Sequence, residues 1–179
     1  MKKYFLILLF FLGCQNSKYI WYNGDFESAK SISDSKLIMI DFYTDTWGAC
    51  HRLDADTFSD LEVQKFSENN FISIKMNVND KDARKLFDEY NCHGVPHLLF
   101  IDKDGKEVDR IIGYLPPSEY LLRIKDIKND KHTLNDYITQ YNNGISNADL
   151  IAEIAAKYEQ RGDIKNAKEF YSIIIKEYP

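Results

Sequence analysis

The chain has 179 residues, a net charge of -5 with both signs interspersed, 44% hydrophobic and 14% aromatic residues. That suffices for one ordinary domain with a real core plus a small addition. No basic block or aromatic-basic stripe occurs, so no nucleic-acid partner is expected.

The N-terminus, "MKKYFLILLFFLGCQNS", has two lysines, an apolar run from Tyr4 to Leu12, then Gly13-Cys14. A charged start and an apolar stretch too short to span a bilayer are the parts of a signal peptide. "FLGC" resembles a bacterial lipobox. Residues 1–14 are therefore read as a signal peptide cleaved before Cys14, which takes the lipid anchor. The expected location is extracytoplasmic, as a membrane-anchored lipoprotein of the periplasm or cell envelope. With Cys14 so used, Cys50 and Cys92 remain, and an oxidising compartment allows them one bridge. Their spacing fits no zinc motif.

Residues 15–18 read as a tether, and "YIWY" as a short first strand. "NGDFESAKSISDS" has helical character. "KLIMIDFY" (36–43) is a near-continuous apolar run, the mark of a strand buried on both faces. "GACHRLDADTF" reads as a helix with Leu53 and Phe58 inward, and "SDLEVQKFSENN" as a second helix with cap residues at its start. "FISIKMNVN" (71–79) alternates like a strand, and "DKDARKLFDEYN" (80–91) is an amphipathic helix. "HLLFID" and "EVDRIIGY" flank "KDGK", a hairpin signal. "PPSEYLLRIKDI" opens with prolines where a helix tolerates them. The order β-α-β-α-β-α-β-β-α predicts an α/β domain of three layers with a mixed sheet over 19–128.

Residues 129–146 read as a helical linker. The tail 147–179 is two helices joined by "RGD", with apolar or small residues at Ile151, Ile154, Ala155 and Tyr158, then Ala167, Tyr171 and Ile174. This spacing matches a single tetratricopeptide repeat, whose period is about 34 residues. One repeat cannot bury its own face. It must pack on the domain, on the linker, on further repeats or on a protein partner; an ordinary docked helical hairpin is the plainer alternative.

The stretch from about Tyr19 to Lys128 resembles the thioredoxin-like superfamily, closest to the thiol-reducing end domain of membrane thiol-disulfide interchange proteins. "LIMIDFY" running into the turn before Cys50, "DADTFSD", "GVPHLLFIDKDGKEV" and "GYLPPSEYLLRI" carry the resemblance. In that family the turn reads Trp-Cys-Gly-Pro-Cys. Counting from Asp41-Phe42, the second cysteine falls on Cys50, Trp47 on the first, and Thr46 on the usual Trp. The other alignment keeps Trp47 on the family Trp and deletes a residue. Either way the first cysteine is absent. That thiol is the one activated at the helix N-terminus, and the second only resolves its mixed disulfide. Ordinary dithiol chemistry is therefore not expected.

The resemblance makes Asp41 the buried proton acceptor for Cys50, or else a carboxylate inherited with the fold. It makes Val95-Pro96 the cis-proline, whose groove pairs with an extended polypeptide or protein thiol client. Trp47 either touches such a peptide or packs over the turn. His51 is read as a solvated partner lowering the Cys50 pKa. Cys92 is a small buried hydrophobe or a partner for Cys50. A copper or zinc site at Cys50, His93 and His97, with His51 nearby, is a third reading. No cofactor is expected.

Overall fold

The computed structural model describes residues 18–178. The expected signal peptide, Cys14 and most of the tether lie outside these residues. Helix α1 (Phe26–Ile32) starts at Asp25, whose side chain accepts from the Ser28 N–H at 2.7 Å. Strand β1 (Leu37–Tyr43) leads to α2 (Gly48–Arg52), which runs on into a π-helical turn (Leu53–Thr57). Helix α3 (Leu61–Asn70), strand β2 (Phe71–Asn77) and helix α4 (Lys81–Glu89) follow. Strands β3 (His97–Ile101) and β4 (Glu107–Ile112) form the predicted hairpin, and α5 (Pro117–Lys128) closes the domain. In the hairpin turn Asp102 accepts from the N–H groups of Asp104 and Lys106, and Gly105 takes a φ of 84° that a side chain would strain.

The sheet order is β2-β1-β3-β4. Strand β2 is parallel to β1, in register from Leu37↔Phe71 to Tyr43↔Asn77, and β3 and β4 are antiparallel additions. Because β1 is central, side chains of both parities are buried, which is why "LIMIDFY" shows no polar alternation. Met39 packs with Leu53, Phe58, Leu98, Phe100 and Tyr120 on one face. Ile38, Ile40 and Phe42 pack with Ala29, Leu86, Phe87 and Cys92 on the other. The three-layer α/β architecture with a mixed sheet is thus as expected.

One element differs. Residues 19–22 do not form the predicted strand. The Tyr22 N–H donates to Ser73 O at 2.7 Å, but the segment is held mainly by side chains. Tyr19 is buried, its hydroxyl 3.0 Å from Ser73 Oγ, and its ring meets Trp21 and Phe58. Aromatic anchoring replaces the ladder.

The tail holds α6 (Leu134–Asn142), α7 (Ala148–Gln160) and α8 (Ile164–Glu177). Ile151, Ile154, Ala155 and Ala167 are buried as the spacing predicts, and Tyr158 stacks on Phe170 with centroids 5.7 Å apart. Tyr171 is exposed, because no further layer covers α8 among the described residues. The hairpin docks on β4 through charge. Asp109, buried in β4, accepts from Lys157 at 2.7 and 2.9 Å and from Arg161 at 3.2 Å, and it also pairs with Arg123 of α5. Arg110 donates to the carbonyls of Gln160 (2.7 Å) and Tyr90 (2.9 Å). At the α7–α8 turn Gly162 has φ 71°, and a Cβ there would lie 3.3 Å from Asn91 Cβ. Glycine is needed both for the turn and for the close approach.

Candidate functional site

The site forms where β1 ends and α2 begins, beside the loop that precedes β3. Trp47 is the residue capping α2, extended at φ -98° and ψ 118°, and the Cys50 N–H donates to its carbonyl at 3.0 Å. Trp47 thus stands three residues ahead of Cys50 at the helix N-terminus, the place where an attacking thiol would gain from free N–H groups and the helix dipole. Its side chain is 57% exposed, whereas Cys50 is only 3% exposed.

Cys50 is surrounded by groups that oppose ionisation. Burial pushes its thiol up, and the charges of Asp41 and Asp54 push the same way, against a Thr44 backbone hydrogen bond and Lys75. Asp41 is itself buried, and burial raises its carboxyl to about 7 although Lys75 pulls it down. Lys75 Nζ lies 3.6 Å from Asp41 Oδ2 and donates to Asp54 in the π-turn. Asp41 Oδ1 has no hydrogen-bond partner among the described residues. A carboxyl near neutrality beside a buried thiol can take its proton at physiological pH.

Lys75 and Asp54 were not singled out in the sequence. Lys75 had a signal: a lysine in the middle of the buried strand "FISIKMN" needs a partner. Asp54 had none, since only the π-turn aims it at Lys75. In that turn the Phe58 N–H donates to Leu53 O, five residues back, at 2.9 Å.

The peptide bond Val95-Pro96 is cis, and the Pro96 carbonyl accepts from the Gly113 N–H at 2.8 Å. His51 is exposed, and its Nε2 donates to the Asp45 carbonyl at 2.8 Å. Its ring is therefore committed to the loop, and the expected role of lowering the Cys50 pKa finds no contact here. Cys92 belongs to the apolar layer of α1 and α4, and burial pushes its thiol up to about 12. Leu53, one turn along from Cys50, belongs to the opposite layer. Both cysteines are free.

The metal reading is corrected. His97 is fully buried in β3 with Nδ1 donating to the His93 carbonyl at 3.2 Å, while His93 is exposed. Burial lowers His97 to about 4, and its Nε2 has no hydrogen-bond partner among the described residues. Among the described residues no three His, Cys, Asp or Glu side chains gather as a metal site, so Cys50, His93 and His97 do not form one. The His93 and His97 rings lie 6.0 Å apart, centroid to centroid, but no third such side chain completes a site with them among the described residues.

Comparison with known proteins agrees with this geometry. A family model described as a thioredoxin-like domain matches residues 24–128. The thiol:disulfide interchange protein DsbD of Tatumella citrea is 30% identical over 108 residues, covering 59% of this chain and 19% of that protein. The chloroplastic thioredoxin-like protein HCF164 of Oryza sativa subsp. japonica is 30% identical over 92 residues, 51% of this chain and 34% of that one. The chain thus spans from a fifth to a third of these relatives' length. Among solved structures, a putative disulphide-isomerase from Bacteroides thetaiotaomicron superposes with TM-score 0.57 at 28% identity, covering 63% of this chain and 95% of that one. A thioredoxin from Thermus thermophilus has TM-score 0.55 at 22% identity, covers 62% and 88% respectively, and supports the fold alone. The tail beyond residue 128 lies outside the family match. By its strands, its cis-proline loop and this match over most of its length, the chain belongs to the thioredoxin-like domain family, whose relatives include thiol-disulfide oxidoreductases.

Proposed function

We propose that this is an extracytoplasmic member of the family, acting in thiol-disulfide handling or protein folding at the cell envelope by binding an extended polypeptide rather than by a dithiol cycle. One observation carries this: exposed Trp47 holds the N-terminal position of α2, while the lone Cys50 is buried. The client lies along Val95 and Pro96 by main-chain contacts, with Trp47 as its apolar platform. Cys14 anchors the domain to a membrane through lipid. The tail, read as one tetratricopeptide-like repeat, holds a second protein partner on its α8 face.

A second reading has its own support. Asp41, raised to about 7 and acting on Cys50, is a suitable proton acceptor for a single-cysteine oxidoreductase. That enzyme would form a mixed disulfide with a client disulfide and need an external thiol to resolve it.

Alkylation against pH on the chain lacking residues 1–14, read per cysteine by mass spectrometry, separates the two. The binding reading expects Cys50 and Cys92 to stay silent below about pH 8.5 and to react only after denaturation. Native alkylation of Cys50 near neutrality would overturn it and favour the single-thiol enzyme.

A further inference from the structure

Among the described residues Lys75 is the one cation pressed against Asp41, and its placement is not left to the ion pair. Its ammonium lies 5.1 Å from the Trp21 ring centroid, 4.8 Å from that of Tyr43 and 6.0 Å from that of Phe58. Trp21 is in turn fixed by its neighbours. Its centroid is 4.5 Å from Tyr19 and 5.0 Å, edge-on, from Phe58. Tyr19 and Trp21 precede the family-matched residues, which begin at 24. So a segment ahead of the matched domain supplies one wall around its buried ion pair.

We propose that Trp21 is a positioning residue of the Cys50 site, holding the Lys75 ammonium against Asp41 by cation–π attraction. A ring face attracts an ammonium most strongly where water is thin, as it is here with Lys75 half-buried and Asp41 buried. Without that attraction Lys75, already paired with Asp54, is free to leave Asp41 for Asp54 and solvent. Asp41 then loses the nearest charge that favours its ionised form. The titratable groups around the pair are Asp41 and Tyr43 of β1, Lys75 of β2, Asp54 of the π-turn, Cys50 of α2, Tyr19, and Tyr120 of α5. Tyr19 and Tyr120 stay neutral across the physiological range because burial raises both. Among the described residues, only Lys75 therefore brings a compensating positive charge to Asp41. The inference rests on the reading in which Asp41 serves Cys50, but it concerns the carboxyl itself.

The chain has two tryptophans, Trp21 and Trp47, which makes a shape-preserving test available. In the full chain carrying Trp47→Phe, biosynthetic fluorotryptophan enters only at position 21. Each added fluorine weakens the ring's attraction for a cation without changing its packing. Asp41 is followed directly by carbonyl-carbon NMR of labelled aspartate, assigned with Asp41→Asn. The midpoint should climb stepwise with fluorine count, by about half a unit to one unit for the most fluorinated ring. Trp21→Leu should shift it the same way, and Trp21→Phe should restore part of the shift. A folded fluorinated series with an unchanged Asp41 midpoint overturns the proposal, as does an equal shift in the Leu and Phe variants. Because the carboxyl is read directly, an unreactive Cys50 would count against its thiol chemistry and not against the positioning of Lys75.

Discussion

Asp41 gains its high proton affinity from burial, and that has a consequence for stability. Its folded value of about 7 exceeds the usual 3.8, so the folded state holds this proton more tightly than the unfolded one. The resulting stability is full below about pH 4 and lost as pH rises through 7. Asp41→Asn removes the buried charge. It should therefore stabilise the fold above pH 7, by up to about 4 kcal/mol, and do nothing below pH 4, as read by urea denaturation across pH. His97 runs the other way. Burial lowers it from 6.5 to about 4, so stability is lost as pH falls through that window. His97→Phe keeps an aromatic ring against Phe87, whose centroid is 5.9 Å away. That variant should lose up to about 3 kcal/mol of this acid-side sensitivity. The pH of maximum stability in the parent reflects the competition of the two groups, and each variant should shift it in opposite directions.

The element that begins the site is α2, which Trp47 opens and which carries Cys50. Trp47 sits in extended backbone at the helix start with its side chain in solvent, and nothing lies within 4 Å of a Cβ placed at Gly48. Trp47→Cys should thus be accepted by the backbone. The new thiol would sit exposed at the helix N-terminus, where its pKa falls. A disulfide with Cys50, counted as loss of two free thiols on oxidation, and reduction of a protein disulfide in the presence of dithiothreitol are the expected gains. Absence of both would mean that a thiol at position 47 does not by itself make this turn a redox pair. A second element-level prediction concerns β4. Asp109 is buried among Lys157, Arg161 and Arg123. Asp109→Ala takes the acid from Lys157 and Arg123 and leaves Arg161 with Glu107 alone, and should cost about 3–5 kcal/mol in urea denaturation. Lys157→Met should cost less, since Asp109 keeps two guanidinium partners and methionine fills the stem's place.

At the scale of the whole molecule, the tail is part of the domain's packing. Arg110 donates to Gln160, Arg161 reaches Glu107 at 3.0 Å, and Gly162 closes on Asn91. Ending the chain after Asn129 would strip Asp109 and Glu107 of their tail partners. The melting temperature should fall by roughly 10–20 °C, and the amides of β4 should be the first to exchange. A tail that is only a tethered arm would leave both unchanged.

The layers and the central strand are legible from residue pattern alone. An unbroken run such as "LIMIDFY" is stable only between two apolar faces, and "KDGK" admits little but a tight turn. The sequence also locates the chemical question, since the family it resembles has two cysteines in the turn where this sequence has Cys50 alone. Contacts between residues far apart in the chain are not legible in that pattern and emerge with the fold. Lys75 reaches Asp54 across 21 positions because a π-turn re-aims the acid. Asp109 meets Lys157 across 48 because the tail folds back on β4. Cys92 packs in the layer of α1 and α4, while Leu53, a turn on from Cys50, packs in the other layer, a division that only the sheet sets. The segment 19–22 is held by aromatic contacts and not by a ladder, because Tyr19 and Trp21 gain more by packing on Phe58 than extended pairing would give. Local pattern specifies which side chains want burial, whereas charge pairing and proton affinity depend on which distant groups burial brings together.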